Sequence, residues 1–243
     1  MFWKKEKQPD LVFGDVSERG IYQTLCVERA EDVPFASERF QKEKYGAKKF
    51  HLCPGMSDYA KAGYIVPAWC DIEFIANSAG VRAHRGETES GNRKVKFGNE
   101  PFEMGTDIPD GFVDIDPNIQ FKVFKFDSPW KIFCSKSISA LILPPIYHAT
   151  WCNDLHFWPG LIAYDKFTIA NVMLTPKKQG RITIRAGEPL IHIVPMTNTY
   201  INAAVGPATQ EQLHFSKGQI YGTDTQFYRK YLNVKRFFGL EKG

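Results

Sequence analysis

The sequence has no closely spaced pair of cysteines. Its five cysteines are scattered along 243 residues, their number is odd, and no C-x-x-C motif occurs. This distribution excludes a zinc knuckle and a thioredoxin-type redox motif. Three of the cysteines, Cys70, Cys134 and Cys152, lie inside apolar runs, where a free thiol behaves as a small hydrophobic side chain. We therefore expect reduced thiols and a reducing, intracellular compartment.

Long apolar runs and a strong charge of one sign are also lacking. The N-terminal MFWKKEKQPDLVFG carries charges with no hydrophobic stretch after them, and no segment is long enough to span a bilayer. Secretion through an ordinary signal peptide and a membrane span are therefore not expected. The 31 Lys and Arg residues against 27 Asp and Glu leave a net charge of +4, which is mild and makes a nucleic-acid partner unlikely.

The common catalytic motifs are missing as well. The sequence contains no glycine-rich phosphate loop, no G-x-S-x-G elbow and no H-E-x-x-H. The stretch DIDPN (residues 114–118) resembles the start of a calcium loop, but Pro117 interrupts it, which favours a polar turn. Cys53 and Cys152 have no basic neighbour that would mark a nucleophile, so buried thiols are favoured. The sequence therefore predicts no catalytic residue and no cofactor.

Short apolar segments separated by Gly, Pro, Asp and Asn are abundant, above all between residues 118 and 196. Their length and spacing, with no helical crossover between them, are typical of an antiparallel sandwich or barrel and exclude parallel βαβ units. Residues 130–134 and 137–143 are predicted to form a pair of strands, and residues 190–194 the last strand. The other strands predicted here cover residues 119–126, 161–164, 167–174 and 181–185.

Fewer strands are expected outside this region. After Pro67, apolar and polar side chains alternate, which predicts a half-buried strand with a bend or an edge at the proline. The turn formers of residues 86–118 admit at most one short strand, and residues 197–223 are expected to be irregular. The strands predicted outside the central region cover residues 11–13, 21–27, 64–76 and 94–97.

Two helices are predicted. The stretch CPGMSDYAKAG (residues 53–63) has Pro54 in place for a first helical turn and Gly63 for the helix end. Residues 224–238 show the clearest helical pattern, with one apolar stripe that would dock on a sheet or on a partner chain. The stripe consists of Phe227, Tyr231, Val234 and Phe238.

The expected fold is mainly β: an antiparallel jelly-roll-like sandwich with a short helix near residues 54–62 and a C-terminal helix. We expect a single domain over residues 1–243, with an N-terminal extension at 1–50 and the C-terminal helix at 224–238. A chain of this length can bury a full hydrophobic core without disulfides or a structural metal.

An aromatic cluster around the turn WCNDLHFWPG is a candidate binding site. Trp151, Trp158 and Tyr164, together with His156, would form an exposed platform able to bind a sugar ring, a base or a protein. The alternative interpretation is a hydrophobic wedge, to which Phe157 also belongs, that closes one end of the sandwich.

A metal site is the other candidate. Non-haem iron is bound by two histidines and a carboxylate that converge on one face. Asp154 and His156 would lie on the same side of a strand and His192 on a later strand, so these three are the ligands if any metal binds. The usual H-x-D signal is missing. Packing of His156 among aromatic rings and a satisfied core position for His192 are the alternative interpretation.

Three blocks of the sequence resemble a known family. They are CPGMSDYAKAGYIVPAWCDIEF (residues 53–74), SPWKIFCSKSISALILPP (128–145) and AGEPLIHIVPM (186–196), and they cover roughly a fifth of the chain. Together they resemble an uncharacterised β-rich family carried mostly by tailed bacteriophages, often marine ones, with some bacterial relatives. The resemblance implies a phage or bacterial origin and a β fold. Because the family has no assigned activity, the resemblance implies no catalytic residue.

The chain departs from this family at one motif. Where the family tends to show Gly-Ile-Val-Asp-x-Asp before its penultimate strands, residues 160–165 read GLIAYD and keep only the second acid. If the family's motif binds a ligand, this chain has lost part of that site.

Two functional hypotheses follow. The first is a non-catalytic phage accessory or virion-associated protein with a binding or structural role, located in the cytoplasm of the bacterial host or in the virion. It would bind a protein partner, or form a homo-oligomer, through the aromatic loop and the C-terminal helix. The alternative is a cupin-like or 2-oxoglutarate-type non-haem iron oxygenase that uses Asp154, His156 and His192.

Overall fold

The computed structural model describes residues 9–17, 19–36, 53–90, 93–96, 102–104, 115–119, 122–134, 137–164, 167–197 and 199–214. The chain divides into two compact units, Met1–Pro207 and Ala208–Gly243. Whether it forms a single domain, as the sequence predicts, stays a prediction. The strands of the first unit are β1 Leu11–Asp15, β2 Glu28–Arg29, β3 Tyr64–Pro67, β4 Ile72–Asn77, β5 Gly80–Arg85, β6 Glu87–Ser90, β7 Arg93–Lys96, β8 Phe102–Met104, β9 Val123–Phe126, β10 Trp130–Cys134, β11 Ser139–Leu143, β12 Leu155–Phe157, β13 Gly160–Ala163, β14 Val172–Pro176, β15 Gly180–Ile184, β16 Pro189–Pro195 and β17 Ala203–Pro207.

The fold is mainly β with several antiparallel sheets, which confirms the fold class at this level. The strand orders are β10-β1-β17, β13-β11-β16-β3-β2, β12-β14-β9-β8, β15-β4-β5 and β6-β7. The pair β1 and β17 is parallel. These two strands are the first and the last of the first unit in sequence. The connection that a parallel pair requires is therefore provided by the rest of the unit and not by a single helical crossover.

Aromatic contacts join sheets to one another in the hydrophobic core. The ring of Phe74 on β4 lies 5.8 Å from that of Phe124 and 5.7 Å from that of Phe126, both on β9. The ring of Phe13 on β1 lies 5.2 Å from that of Tyr64 on β3. Edge-on and tilted pairs at these separations add to the area that the rings bury, so they stabilise the packing of one sheet on the next.

Residues 64–76 divide near Pro67 into two strands of different sheets, as the proline suggests. In the second of them, β4, the side chains of Ile72, Phe74 and Ala76 are buried, and those that alternate with them are half-buried or exposed. This confirms the predicted half-buried alternation. The connection between the strands also contributes to the core, because Trp69 and Cys70 are fully buried.

The strand predicted at residues 21–27 is wrong, whereas the N-terminal extension over residues 1–50 stays a prediction. Ile21–Gln23 is a 3-10 turn that follows Gly20. The buried carboxylate of Asp15 accepts hydrogen bonds from the backbone N–H of Tyr22, at 3.3 Å, and of Ser17, at 2.8 Å. These local bonds hold the backbone in turns where a ladder would otherwise form. The preceding strand β1 is confirmed, and it lies at the centre of its sheet.

The predicted pairing of residues 130–134 with 137–143 is also wrong. Both segments are extended, but β10 pairs with β1, whereas β11 pairs with β13 and β16. The alternation of apolar and polar residues along a strand specifies which face is buried, but it does not specify which strand pairs with it. Pairing with distant strands places both segments in sheets that cover the core.

Residues 80–104 contain more strands than expected. β4 and β5 form a hairpin around Ser78 and Ala79, and β6 pairs with β7 in a register that sets Glu87 against Lys96 and Glu89 against Lys94. β8 pairs with β9. The sequence signal of these strands is weak because turn-forming residues lie between them and because β6 and β7 together contain one apolar residue, Val95.

The remaining predicted strands form with shifted ends. Residues 190–194 lie within β16, but this is not the last strand, because β17 follows it. β15 shows the expected alternation, with Ile182 and Ile184 buried. The strands predicted at 119–126, 161–164 and 167–174 correspond to β9, β13 and β14.

The short helix is confirmed as α1, Pro54–Lys61, with Pro54 in its first turn. Gly63, with φ of 74°, makes the left-handed turn into β3. In the second unit, residues 210–214 are helical, and Thr209 and Gln212 exchange side-chain to backbone hydrogen bonds of 2.9 and 3.2 Å in a capping box. The predicted helix at 224–238 lies outside the described residues. No helix within the described ranges has the length and apolar character that crossing a membrane requires.

Candidate functional site

The aromatic turn lies between β11 and β13. Trp151, Phe157 and Tyr164 are buried, at 4%, 4% and 3% exposure, so the exposed platform is wrong for Trp151 and Tyr164. The indole N–H of Trp151 donates to the carbonyl of Pro189 at 2.9 Å and ties the turn to β16. This burial favours the wedge, in which the rings close the core under the turn.

Trp158 and His156 are the members of the cluster that remain partly accessible. Their rings meet edge to face with centroids 4.5 Å apart, and the indole N–H of Trp158 donates to the hydroxyl of Thr175 at 2.9 Å. Nε2 of His156 is buried without a hydrogen-bond partner in the described part of the chain. Burial lowers the pKa of His156, and the nearby Lys177 lowers it further, so the ring is held neutral. A binding role for this pair stays a prediction.

The predicted metal ligands do not come together. Asp154 forms an ion pair with Lys178, 2.6 Å from carboxylate to ammonium, and His156 packs on Trp158. His192 lies on β16, which belongs to a different sheet from β12, the strand of His156. Among the described residues, which include all three, no group of three His, Cys, Asp or Glu side chains is arranged to hold a metal. The ligand set proposed for an iron oxygenase is therefore not assembled.

His192 instead holds the C-terminal end of α1. It is 1% exposed, and its Nε2 lies 2.6 Å from the carbonyl oxygen of Ala62. The last carbonyls of a helix lack partners within the helix, so this bond satisfies a group that would otherwise be buried unpaired. Burial lowers the pKa of His192, and His148 lowers it further, while the bond to Ala62 acts in the opposite direction.

His148 holds the same helix end from a second side. Its Nε2 lies 3.0 Å from the carbonyl oxygen of Ala60 and its Nδ1 lies 3.2 Å from that of Pro34. The ring stacks on Phe35 at 5.3 Å and meets His192 edge-on at 6.2 Å. The two histidines therefore lie within hydrogen-bond distance of backbone carbonyls on either side of Lys61, and the other ring nitrogen of His148 lies beside the N-terminal segment. We call His148 and His192 the histidine clamp.

The buried thiols are likewise part of the packing. Burial raises the pKa of both Cys70 and Cys152 to about 12, so neither forms a thiolate nucleophile at neutral pH. Cys53, predicted to be buried, is exposed just before α1. The prediction of buried thiols is therefore wrong for Cys53, whereas Cys152 is partly buried.

A cleft opens in front of the histidine clamp, at the end of α1. It has a volume of about 210 Å³ and lies where β2, the turn after α1 and the segment after β16 meet. Its polar lining comprises Arg29, Lys61, Thr197, Thr199 and Tyr200. We call it the Lys61 cleft.

The sequence does not mark the Lys61 cleft as a site. Its residues come from three separate segments, and none of these carries a known binding motif. The sequence does not reveal the histidine clamp either, because its hydrogen-bond partners are backbone carbonyls, which every residue has.

No protein-family model, no curated protein and no solved structure matches this chain. The resemblance of residues 53–74, 128–145 and 186–196 to the phage-borne family therefore stays a prediction.

Proposed function

We propose that this chain is a non-catalytic phage accessory or virion-associated protein that acts by binding or as a structural component. The observation that carries the proposal is that histidine and cysteine side chains, which could otherwise act in catalysis, are engaged in the packing of the fold. His148 and His192 bond to backbone carbonyls, and burial keeps the thiols of Cys70 and Cys152 protonated. Groups used in this way stabilise a scaffold and are withdrawn from proton transfer and nucleophilic attack.

The finer architecture belongs to the same proposal: a jelly-roll-like sandwich with a C-terminal helix at residues 224–238. Several antiparallel sheets around one hydrophobic core support the sandwich. The apolar stripe of the predicted helix supports a docking role, because a helix of this pattern buries one face against another surface. The partner would be a second copy of the chain or another phage protein, reached through this helix and the partly accessible pair of Trp158 and His156.

The first experiment measures the oligomeric state of the full-length protein by size-exclusion chromatography with light scattering. We expect an oligomer that dissociates when Val234→Glu places a charge in the apolar stripe. The control Lys235→Glu changes a neighbouring position outside the stripe and should leave the oligomer intact. A monomer at all concentrations that also fails to bind the products of adjacent genes would contradict the proposal.

Two further observations separate this function from the alternatives. Neighbouring genes that encode capsid or tail parts would support a virion-associated role, and neighbours in a metabolic operon would contradict it. Stoichiometric iron in protein purified without chelator, lost in His156→Ala, would instead support the oxygenase. At present no arrangement of the described residues favours that alternative.

A further inference from the structure

We propose that the Lys61 cleft binds a small phosphate-bearing anion. This inference does not depend on the proposed assembly role, since the cleft lies wholly within the first unit and concerns different residues. Its volume of about 210 Å³ holds a phosphate group with a few attached atoms. It lies below the roughly 300–1,000 Å³ typical of sites for drug-sized ligands, which points to a small ligand.

The lining of the cleft is positive. Lys61 and Arg29 both face it, and no Asp or Glu is among the described residues that line it. No carboxylate pairs with Lys61 in the part of the chain that the structure describes, so its ammonium group remains available to an anion. Two cations that line one cleft, with no carboxylate among its described lining residues, produce a field that attracts a dianion.

Arg29 is held in place at the wall of the cleft. Its guanidinium lies 5.0 Å above the ring centre of Tyr200, and one of its terminal nitrogens lies 2.8 Å from the carboxylate of Glu31. Both members of that ion pair are half exposed, so the pair is weak. Because a guanidinium has five N–H donors, those not used by Glu31 remain for a ligand.

Two hydroxyls complete the polar lining. The oxygens of Thr197 and Thr199 lie 2.9 Å apart, and the backbone N–H of Thr199 donates to the hydroxyl of Thr197 at 3.1 Å. These bonds fix the two threonines, both of which line the cleft, relative to each other. The hydroxyl of Tyr64 donates to the carbonyl of Ile201 at 3.0 Å and fixes the segment that follows.

The donor set fits phosphate better than a carboxylate. A phosphate monoester carries a charge of about −1.5 to −2 at neutral pH and has three acceptor oxygens. An ammonium, a guanidinium and the one hydroxyl proton that the bonded pair of threonines leaves unused supply donors from several directions, which suits a tetrahedral group. A planar carboxylate has two oxygens and one charge, so it would use only part of this set.

The histidine clamp makes the cleft rigid. His148 and His192 bond to the carbonyls of Ala60 and Ala62, the residues on either side of Lys61 in the chain. Gly63, which also lines the cleft, turns the backbone away immediately afterwards. The clamp residues are positioning residues: they hold the backbone from which Lys61 extends and do not themselves face the anion.

The test is isothermal titration calorimetry of the full-length protein with inorganic phosphate, glycerol 3-phosphate and acetate at physiological ionic strength. We expect saturable binding of the two phosphates and at least tenfold weaker binding of acetate. Lys61→Met should weaken phosphate binding at least tenfold. Lys178→Met, which removes an exposed cation bound to Asp154 elsewhere on the surface, should leave it unchanged. Circular dichroism confirms that both variants are folded.

A second variant keeps the test specific to the cleft. Thr199→Val removes a hydroxyl without changing charge, so it should weaken phosphate binding while leaving the net charge of the protein as it was. Equal binding to the wild type and to Lys61→Met would overturn the proposal. It would also be overturned if Lys178→Met weakened binding as much, since the effect would then be general charge attraction. Failure of these tests leaves the oligomeric state unaffected, so it is distinguishable from failure of the proposed assembly function.

Discussion

Gly63→Ala is the substitution for which the structure makes the strongest prediction. Gly63 lies between α1 and β3 with φ of 74°, and its carbonyl accepts a hydrogen bond of 3.0 Å from the N–H of Ala30. A Cβ atom at this position would lie 2.0 Å from the carbonyl oxygen of Ile193 on β16. The obstacle is backbone in the central strand of the five-stranded sheet, which cannot rotate aside as a side chain can.

Two costs add in this variant. A left-handed conformation costs an alanine about 1–2 kcal/mol relative to glycine. The Cβ and the oxygen must also separate by about 1.4 Å, from 2.0 Å to the 3.4 Å of ordinary contact, which moves the turn away from β16. That movement strains the bonds of Ala62 to His192 and of Gly63 to Ala30, each worth about 0.5–1.5 kcal/mol. We expect a loss of about 2–5 kcal/mol, a large part of the stability of a typical domain.

The assay is urea denaturation followed by tryptophan fluorescence, with two glycine controls. Gly80→Ala tests conformation alone, because Gly80 has φ of 140° and no atom lies within 4 Å of its Cβ position. It should cost about 1–2 kcal/mol. Gly55→Ala in α1 has neither problem and should leave stability unchanged or raise it by up to about 1 kcal/mol. If Gly63→Ala costs no more than Gly80→Ala, the close approach of the turn to β16 is refuted.

Two other predictions concern protonation. Burial lowers the pKa of His192 below the 6.5 of the unfolded chain, so the unfolded chain takes up the proton first as pH falls. The unfolding free energy should therefore decrease as pH falls below about 6.5, and it should decrease less steeply in His192→Gln. Denaturation at several pH values measures both trends, and parallel pH profiles of wild type and variant would contradict the prediction. Burial raises the pKa of Cys70 to about 12, so Cys70 should resist alkylation by iodoacetamide at about pH 8 while exposed Cys53 reacts. Equal labelling of their peptides by mass spectrometry would show that Cys70 is accessible.

The features readable from the sequence are those set by neighbours along the chain. Alternating side chains in β4 and β15 identify a strand with one buried face, and Pro54 and Gly63 delimit α1. Pro67 marks the end of β3 because a proline cannot donate to the ladder. These predictions need only the local geometry of the backbone, so they hold whichever sheets the segments join.

The candidate sites, in contrast, depend on contacts between segments that are distant in the sequence. The proximity of the aromatic residues around Trp151 was evident from the sequence, but their burial was not, since exposure depends on what covers the turn. Likewise, His156 and His192 have residue types suited to a metal, yet they lie on strands of different sheets. The Lys61 cleft unites side chains from three distant segments and carries no local signal.

The sequence by itself determined a mainly β chain of short strands, a short helix near residues 54–62 and the absence of familiar catalytic motifs. Only the tertiary structure decided which strands are neighbours, that Trp151 and Tyr164 are buried, and that His148 and His192 bond to the end of α1. The reason is physical: a strand's pattern records which face is apolar, whereas its partner is chosen by how all the apolar faces can be buried together.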